Sequence, residues 1–271
     1  MGRSLWSVAL LCCATLANIS LASAQTREDA RLITATQVLE ELRDTPDQNV
    51  PGWLMQRAYG VAVIPEVLKG AFMFGGRYGN GVLTVRDTSG RFSNPIFISL
   101  AGGSIGWQIG ATSTDVVLVF ASQRSVENFA NGKFTLGADA SVAAGPVGRQ
   151  GEAAAGVNAE IYSYSRSRGL FAGVALDGTV LAFDRGANRS FYGRNDVTTA
   201  SITSGKVGTH SESARRFLAA VAASAENSGE PATTTTQPAP PPAAPANAAP
   251  PSSGVKSFPL EDTKPGSEPT H

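Results

Sequence analysis

Glycine is crowded into the middle of this 271-residue chain: of its 29 Gly, 24 lie between Gly60 and Gly208. An internal glycine weakens a helix by roughly 0.5–1 kcal/mol relative to alanine, so this density disfavours long helices. It favours short strands joined by tight turns, with backbones in close approach. Proline is biased the other way, with 11 of 16 Pro after Glu230. That stretch is rich in Thr, Pro and Ala and has too little apolar area to offset the entropy of ordering. Three parts follow: residues 1–24, a folded domain over 25–227, and a tail over 228–271 expected to be extended and disordered.

Residues 1–24 have the form of a secretory signal. Arg3 supplies the positive start, Leu5 to Ile19 is an uncharged apolar run, and Ala22-Ser23-Ala24 is a cleavage site before Gln25. The run is short of the roughly 20 residues that a membrane span needs. Both cysteines, Cys12 and Cys13, fall inside it, so a chain beginning at Gln25 has neither disulfides nor thiolate metal sites. The expected location is exported, periplasmic or secreted, and peripheral on a membrane. Charge is balanced, with 22 Lys+Arg against 22 Asp+Glu. A nucleic-acid partner held by bulk positive charge is excluded on that ground.

The 27–44 segment reads as a helix, with Leu32, Ala35, Leu39 and Leu42 at spacings of 3, 4 and 3. A short helix is expected to open at Pro51. From Gly60 the pattern changes to strands. Val61-Ala62-Val63-Ile64 ends at Pro65, and Val82 to Val85 ends at Asp87-Thr88-Ser89-Gly90. Ile96, Ile98 and Leu100 alternate, as do Ile105, Trp107 and Ile109, while Val116 to Phe120 is a continuous run suited to a buried strand. Ser125 to Ala130 reads as one short helix. Leu170–Leu176, Asp177-Gly178 and Thr179–Phe183 read as a hairpin, since Asp-Gly suits a type I′ turn. Helical spacing returns over 212–225, with Ala214, Phe217, Leu218, Val221 and Ala225 on one face. The fold class is α+β: a Gly-rich, mainly antiparallel β core with flanking N-terminal and C-terminal helices.

Four patterns bear on catalysis or cofactor binding. Gly102-Gly103-Ser104-Ile105-Gly106 is a literal G-x-S-x-G, but a nucleophile elbow requires a helix after the serine. Here strand alternation continues through Trp107 and Ile109, so Ser104 is expected to be a strand residue. No metal site is expected, because only His210 and His271 remain as imidazole ligands. No Walker-type loop is present, and Gly75-Gly76…Gly79…Gly81 lacks the strand–turn–helix context of a dinucleotide site. No catalytic residue and no cofactor are assigned.

A series of segments, in order, resembles the SYLF domain family, the lipid-binding or yeast actin-patch-protein type. Ala58 to Pro65, Lys69-Gly70-Ala71-Phe72 and Gly75-Gly76-Arg77-Tyr78-Gly79 are similar to its N-terminal signature. Gly103 to Gly110 with Asp115-Val116-Val117 is similar to its middle strands. Asn131 to Gly137, Ala144 to Gly148, Ala159 to Ser165, Arg168 to Gly173 and Phe191-Tyr192-Gly193 complete the match. The resemblance implies a mixed fold and a non-enzymatic protein that binds membrane lipids, with phosphoinositide binding in eukaryotic members and actin binding in yeast members.

Lipid binding in eukaryotic members is attributed to a basic N-terminal helix, and this chain departs from that pattern. Residues 27–44 carry Arg27, Arg31 and Arg43 against Glu28, Asp29, Glu40, Glu41 and Asp44, three positive minus five negative, or −2. That sign repels anionic headgroups, and a core-packing helix is the expected role. The headgroup-contacting residues are instead expected among Lys69, Arg77, Arg166 and Arg168, cations within the signature segments. Anionic membrane lipids are the expected partners, and actin is not expected for an exported chain. Alternative readings are a small outer-membrane β-barrel or an envelope structural or interaction module. Residues 137–158, mostly Gly, Ala and small polar residues, lack the apolar bands and aromatic girdles of a barrel.

Overall fold

The computed structural model describes residues 26–44, 50–72, 74–87, 89–104, 110–129, 132–147, 159–167 and 170–226, with the backbone alone at 70–72, 74, 104, 110 and 111. The signal-like segment with its cysteines, the Ile105–Ile109 alternation, Arg168 and the 228–271 tail with His271 lie outside the described residues. Helix α1 covers residues 26–43 and α2 Gly52–Arg57. Strands β1 (Gly60–Phe72), β2 (Phe74–Val85), β3 (Ile96–Ser104) and β4 (Gly110–Phe120) follow, then α3 (Gln123–Phe129). After β5 (Lys133–Thr135), β6 (Val142–Ala144), β7 (Ile161–Ser167), β8 (Leu170–Gly173) and β9 (Thr179–Phe183) come α4 (Arg185–Tyr192), α5 (Thr199–Thr203) and α6 (Glu212–Glu226).

The strands form one nine-stranded sheet in the order β5-β9-β3-β2-β1-β4-β7-β6, with β8 also on β7. Every pairing is antiparallel except β6 with β7. The continuous apolar runs are explained by burial on both faces. Val61, Val63, Val82, Phe97, Val117 and Val119 meet one helical layer: Leu32, Leu39 and Leu42 of α1, Leu54 of α2, Phe191 of α4 and Phe217 and Val221 of α6. Ala62, Ile64, Leu83, Ile96, Ile98, Leu118, Phe120 and Leu181 turn the other way. They pack with Phe129, Phe134, Leu136, Leu176 and Ile202. Each fully buried large apolar side chain contributes about 1.5–3 kcal/mol relative to exposure, so the central strands β1–β4 dominate stability.

The α+β class, the flanking helices and the core-packing role of α1 agree with the sequence reading, and Leu32, Ala35, Val38, Leu39 and Leu42 are all buried. The 170–183 hairpin needs correction. β8 pairs with β7, whereas β9 pairs with β3 and β5 near the opposite end of the strand order. Backbone bonding explains why. The Val174 N–H donates to Ser163 O (3.1 Å) beside β8, while the Gly178 N–H donates to Leu136 O (2.9 Å) next to β5. The Asp-Gly turn therefore carries the chain between the two ends of the sheet, and so short a connection requires the sheet to curl.

A second difference lies at Pro65. The sequence reading ends the strand there, but β1 continues to Phe72 through an extra residue. Val63 pairs with Val82 and Leu68 with Tyr78, a shift of one in register, and the shift recurs against β4 between Ile64 and Val67. Proline has no N–H to give a ladder, and Glu66 takes φ 51°, so Pro65-Glu66 is accommodated as a β-bulge.

Candidate functional site

The bulge reverses the facing of everything beyond it. Without the extra residue Leu68 would share a face with Ile64. With it, Leu68 stands opposite Tyr78 on the helix-covered face, and Lys69 opposite Arg77 on the other. Among the described residues the helical layer leaves Leu68 and Tyr78 at this end of the sheet uncovered. Five large apolar side chains stand exposed among the described residues, and two of them, Leu68 (62 %) and Tyr78 (54 %), are cross-strand neighbours. Ala101 of β3 and Ser113 of β4 continue that row and are also exposed. On the reverse face the row reads Gly102, Arg77, Lys69 and Thr112.

Lys69 is exposed and Arg77 half-buried. Arg77 lies across β3 because Gly102 has no side chain: a Cβ there would stand 3.3 Å from Arg77 Cγ and 2.9 Å from Thr179 Oγ1. Arg77 Nε and Thr179 Oγ1 are shielded from solvent without a hydrogen-bond partner among the described residues. Glu66, exposed on the bulge, is the nearby acidic residue along β1. Two cations on adjacent strands beside exposed apolar side chains make an amphipathic sheet end.

Arg166 is placed differently. Its guanidinium pairs with Glu41 of α1 and with Asp115 of β4 (3.3 Å), and lies 5.7 Å from the centre of the Phe171 ring. Asp115 Oδ1 in turn accepts the Glu66 N–H at 2.9 Å. Arg166 thus links α1, β4 and the bulge, and the structure does not bring it beside Lys69 and Arg77 as a third open cation. Leu68 and Tyr78 were not singled out by sequence reasoning. The available signal was Pro65 inside an otherwise continuous strand pattern, which marks a bulge and hence a change of facing.

Ser104 is the last residue of β3, with its backbone opposite Gly75. Among the described residues the next element, from Gly110, is a strand and not the helix that a nucleophile elbow needs. His210 is exposed before α6. Among the described residues no group of three or more His, Cys, Asp or Glu is arranged to hold a metal ion. No described helix is long and apolar enough to cross a membrane.

Residues 101–224 match the family model described as Ysc84, Las17-binding protein actin regulator. Protein YSC84 of Saccharomyces cerevisiae is 44% identical over 167 residues, covering 59% of this chain and 35% of that protein. The SH3 domain-containing YSC84-like protein 1 of Xenopus laevis is 37% identical over 181 residues, or 64% and 54% of the two chains. Its Homo sapiens counterpart is 37% identical over 166 residues, or 58% and 48%. The chain thus spans about a third to a half of the length of these curated relatives. The family description names actin regulation, which bears on the expectation, drawn from the signal-like start, that actin is not a partner.

Proposed function

From the premise that this chain is a member of the SYLF (Ysc84) family, we propose that it is a non-enzymatic binding protein of a membrane surface, acting in a bacterial envelope. The observation that carries the reading is the pairing of Lys69 with Arg77 on adjacent strands at a sheet end that also exposes Leu68 and Tyr78. Near an anionic surface each basic residue contributes about 1 kcal/mol. The acidic α1 contributes nothing of this kind, and its apolar stripe is spent on the core. The export pattern of residues 1–24 supports the envelope location.

Flotation of the full chain with vesicles of phosphatidylcholine, alone or mixed equally with phosphatidylglycerol, tests this. Binding is expected to the anionic vesicles. Combined Lys69→Glu and Arg77→Glu removes about 2 kcal/mol of attraction, a loss of about thirtyfold or more in partitioning. Equal flotation of this variant and the unsubstituted chain would refute the assignment.

A second reading rests on the family match itself. Its description as Las17-binding supports a domain that docks a protein partner. Failure to float with any vesicle, together with a stable complex with an envelope protein that Lys69→Glu and Arg77→Glu disrupts, would favour that reading.

A further inference from the structure

The end of β2 opposite Arg77 carries a different feature. There the β2–β3 connection, α2 and α6 border a cleft of about 450 Å³, a volume within the range of ligand sites. Its lining includes Gln56 of α2, Arg86, Arg91 and Phe92 of the connection, and Leu218 and Ala222 of α6. The connection is pinned on both sides of Arg86. The Arg86 N–H donates to Tyr59 O at 2.7 Å, and Asp87 Oδ1 accepts from the N–H groups of Ser89 (2.8 Å) and Arg91 (2.9 Å). On the facing wall Leu218, Ala222 and Ala225 follow at spacings of 4 and 3, one face of α6, and the two alanines keep that wall low.

Arg86 gives the cleft its character. Its guanidinium lies over the Phe92 ring, 4.6 Å from the ring centre, and the side chain is half-buried. Among the described residues the guanidinium has no carboxylate and no hydrogen-bond acceptor, and its Nε is shielded from solvent. A cation withdrawn from water without an anion is a costly arrangement, which a bound carboxylate would relieve. A similar cleft of about 430 Å³ between α1 and α6 lacks this feature. Its arginines are already paired, Arg43 with Asp44 (3.6 Å) and Arg216 with Glu212 (3.2 Å). We propose that the Arg86 cleft binds the C-terminal carboxylate of a partner peptide whose last side chain is apolar. The planar fork of Arg86 matches the carboxylate, while Phe92, Leu218 and the two alanines receive the side chain. Arg91, exposed at the rim, adds a second positive charge. Gln56 and Glu226, also at the cleft, can bond a peptide amide, which a plain acyl chain does not offer.

The test is an NMR titration of the isotope-labelled full chain with N-acetyl-Gly-Ala-Ala-Phe and N-acetyl-Gly-Ala-Ala-Leu, each as free acid and as C-terminal amide. The acids should shift the Arg86 Nε–H resonance and the backbone signals of Phe92 and Ala222. The amides should bind about tenfold more weakly or worse, the loss expected for a charge-assisted bond. Arg86→Gln should bring the acids down to the level of the amides. Ala222→Phe fills the cleft from α6 with Arg86 kept, and should abolish binding while the rest of the spectrum is unchanged. Combined Lys69→Glu and Arg77→Glu should leave the affinity as it is, so the cleft and the membrane-surface reading stand or fall separately. Equal affinity for acid and amide, or no shift at Arg86 with either acid at millimolar concentration, would overturn the proposal. So would binding of decanoate in the cleft where neither peptide acid binds, which would assign it to an acyl chain.

Discussion

Asn188, fully buried in α4, replaces a stretch of missing strand. β9 stops pairing with β3 at Ile98↔Phe183, which leaves both backbone groups of Phe97 pointing into the gap. Asn188 fills it: Oδ1 accepts the Phe97 N–H at 3.1 Å, and Nδ2 donates to Phe97 O and to Asp184 O, each at 2.8 Å. In Asn188→Ala the two carbonyls keep partners, since Phe97 O still accepts from Asp184 N–H and Asp184 O from the residue-188 N–H, both at 3.0 Å. The Phe97 N–H loses its partner. An unsatisfied buried donor costs about 1–3 kcal/mol, and the lost packing raises the total to about 2–4 kcal/mol. For a domain of this size that corresponds to a fall in Tm of roughly 5–15 °C. Urea and thermal unfolding followed by circular dichroism measure it. Asn188→Asp sharpens the test, because a carboxylate faces two carbonyls without a donor. At neutral pH it should be less stable than the alanine variant, and it should recover on acidification as a protonated carboxyl regains one donor. A loss below about 0.5 kcal/mol for the alanine variant would refute the reasoning, since surface substitutions alone reach that size.

Two further outcomes are expected beside the vesicle experiments. Gly145→Ala should be severe, because a Cβ there would lie 2.1 Å from Cζ of Tyr164, a fully buried ring whose hydroxyl donates to Pro146 O at 3.0 Å. Overpacking of this kind costs about 1–3 kcal/mol or more, read as a lower urea midpoint, and an unchanged midpoint would be incompatible with the packing. Glu28→Gln should stabilise at neutral pH, because burial raises the Glu28 pKa above its ordinary value of 4.5 and Oε2 has no hydrogen-bond partner among the described residues. A raised acid pKa means that the folded state disfavours the ionised form. The gain is therefore full at pH above the folded pKa and fades as pH falls toward 4.5, a trend that paired melts of the two chains across that range would reveal or exclude.

The sequence made the central strands and the terminal helices legible because their hydrophobic periods are long and uninterrupted. Val116 to Phe120 and Ile96 to Leu100 feed side chains alternately into the two layers, and the α1 stripe presents one helical period to one of them. Pairing partners were less accessible. Asp177-Gly178 is a sound turn signal, yet a turn says nothing about which edges its flanks will join, and here the edge of β7 and the edge of β3 were the vacancies. The α4 helix was missed although its ends are marked in the sequence. Asp184 caps it by accepting the Ala187 N–H at 3.0 Å, and Gly193 ends it in the left-handed region. Its interior, Arg-Gly-Ala-Asn-Arg-Ser-Phe-Tyr, offers few apolar side chains for a periodicity reading, because Asn188 is buried through hydrogen bonds instead. At the site, Lys69 and Arg77 were identified as cations, but the apolar neighbours that give them a setting were not.

That setting follows from a single inserted residue. In an unbroken β1, Leu68 would fall on the face of Ile64 and Leu100, and Lys69 would turn onto the face occupied by the helices. The bulge exchanges them, and its position is held by more than proline. The Glu66 N–H is taken up by Asp115, Asp115 is paired with Arg166, and Arg166 also meets Glu41 near the end of α1. Removing Arg166 would take away the one guanidinium that joins Asp115 to Glu41. Arg166 thereby braces the bulge through Asp115 while itself remaining bound to the protein. The acidic character of α1, which is unfavourable for direct attraction to headgroups, supplies one of the carboxylates that fix the arrangement. Charge on the helix and charge on the hairpin thus stand apart: the first braces the sheet end through Arg166, and the second is what the proposed contact with an anionic surface would use.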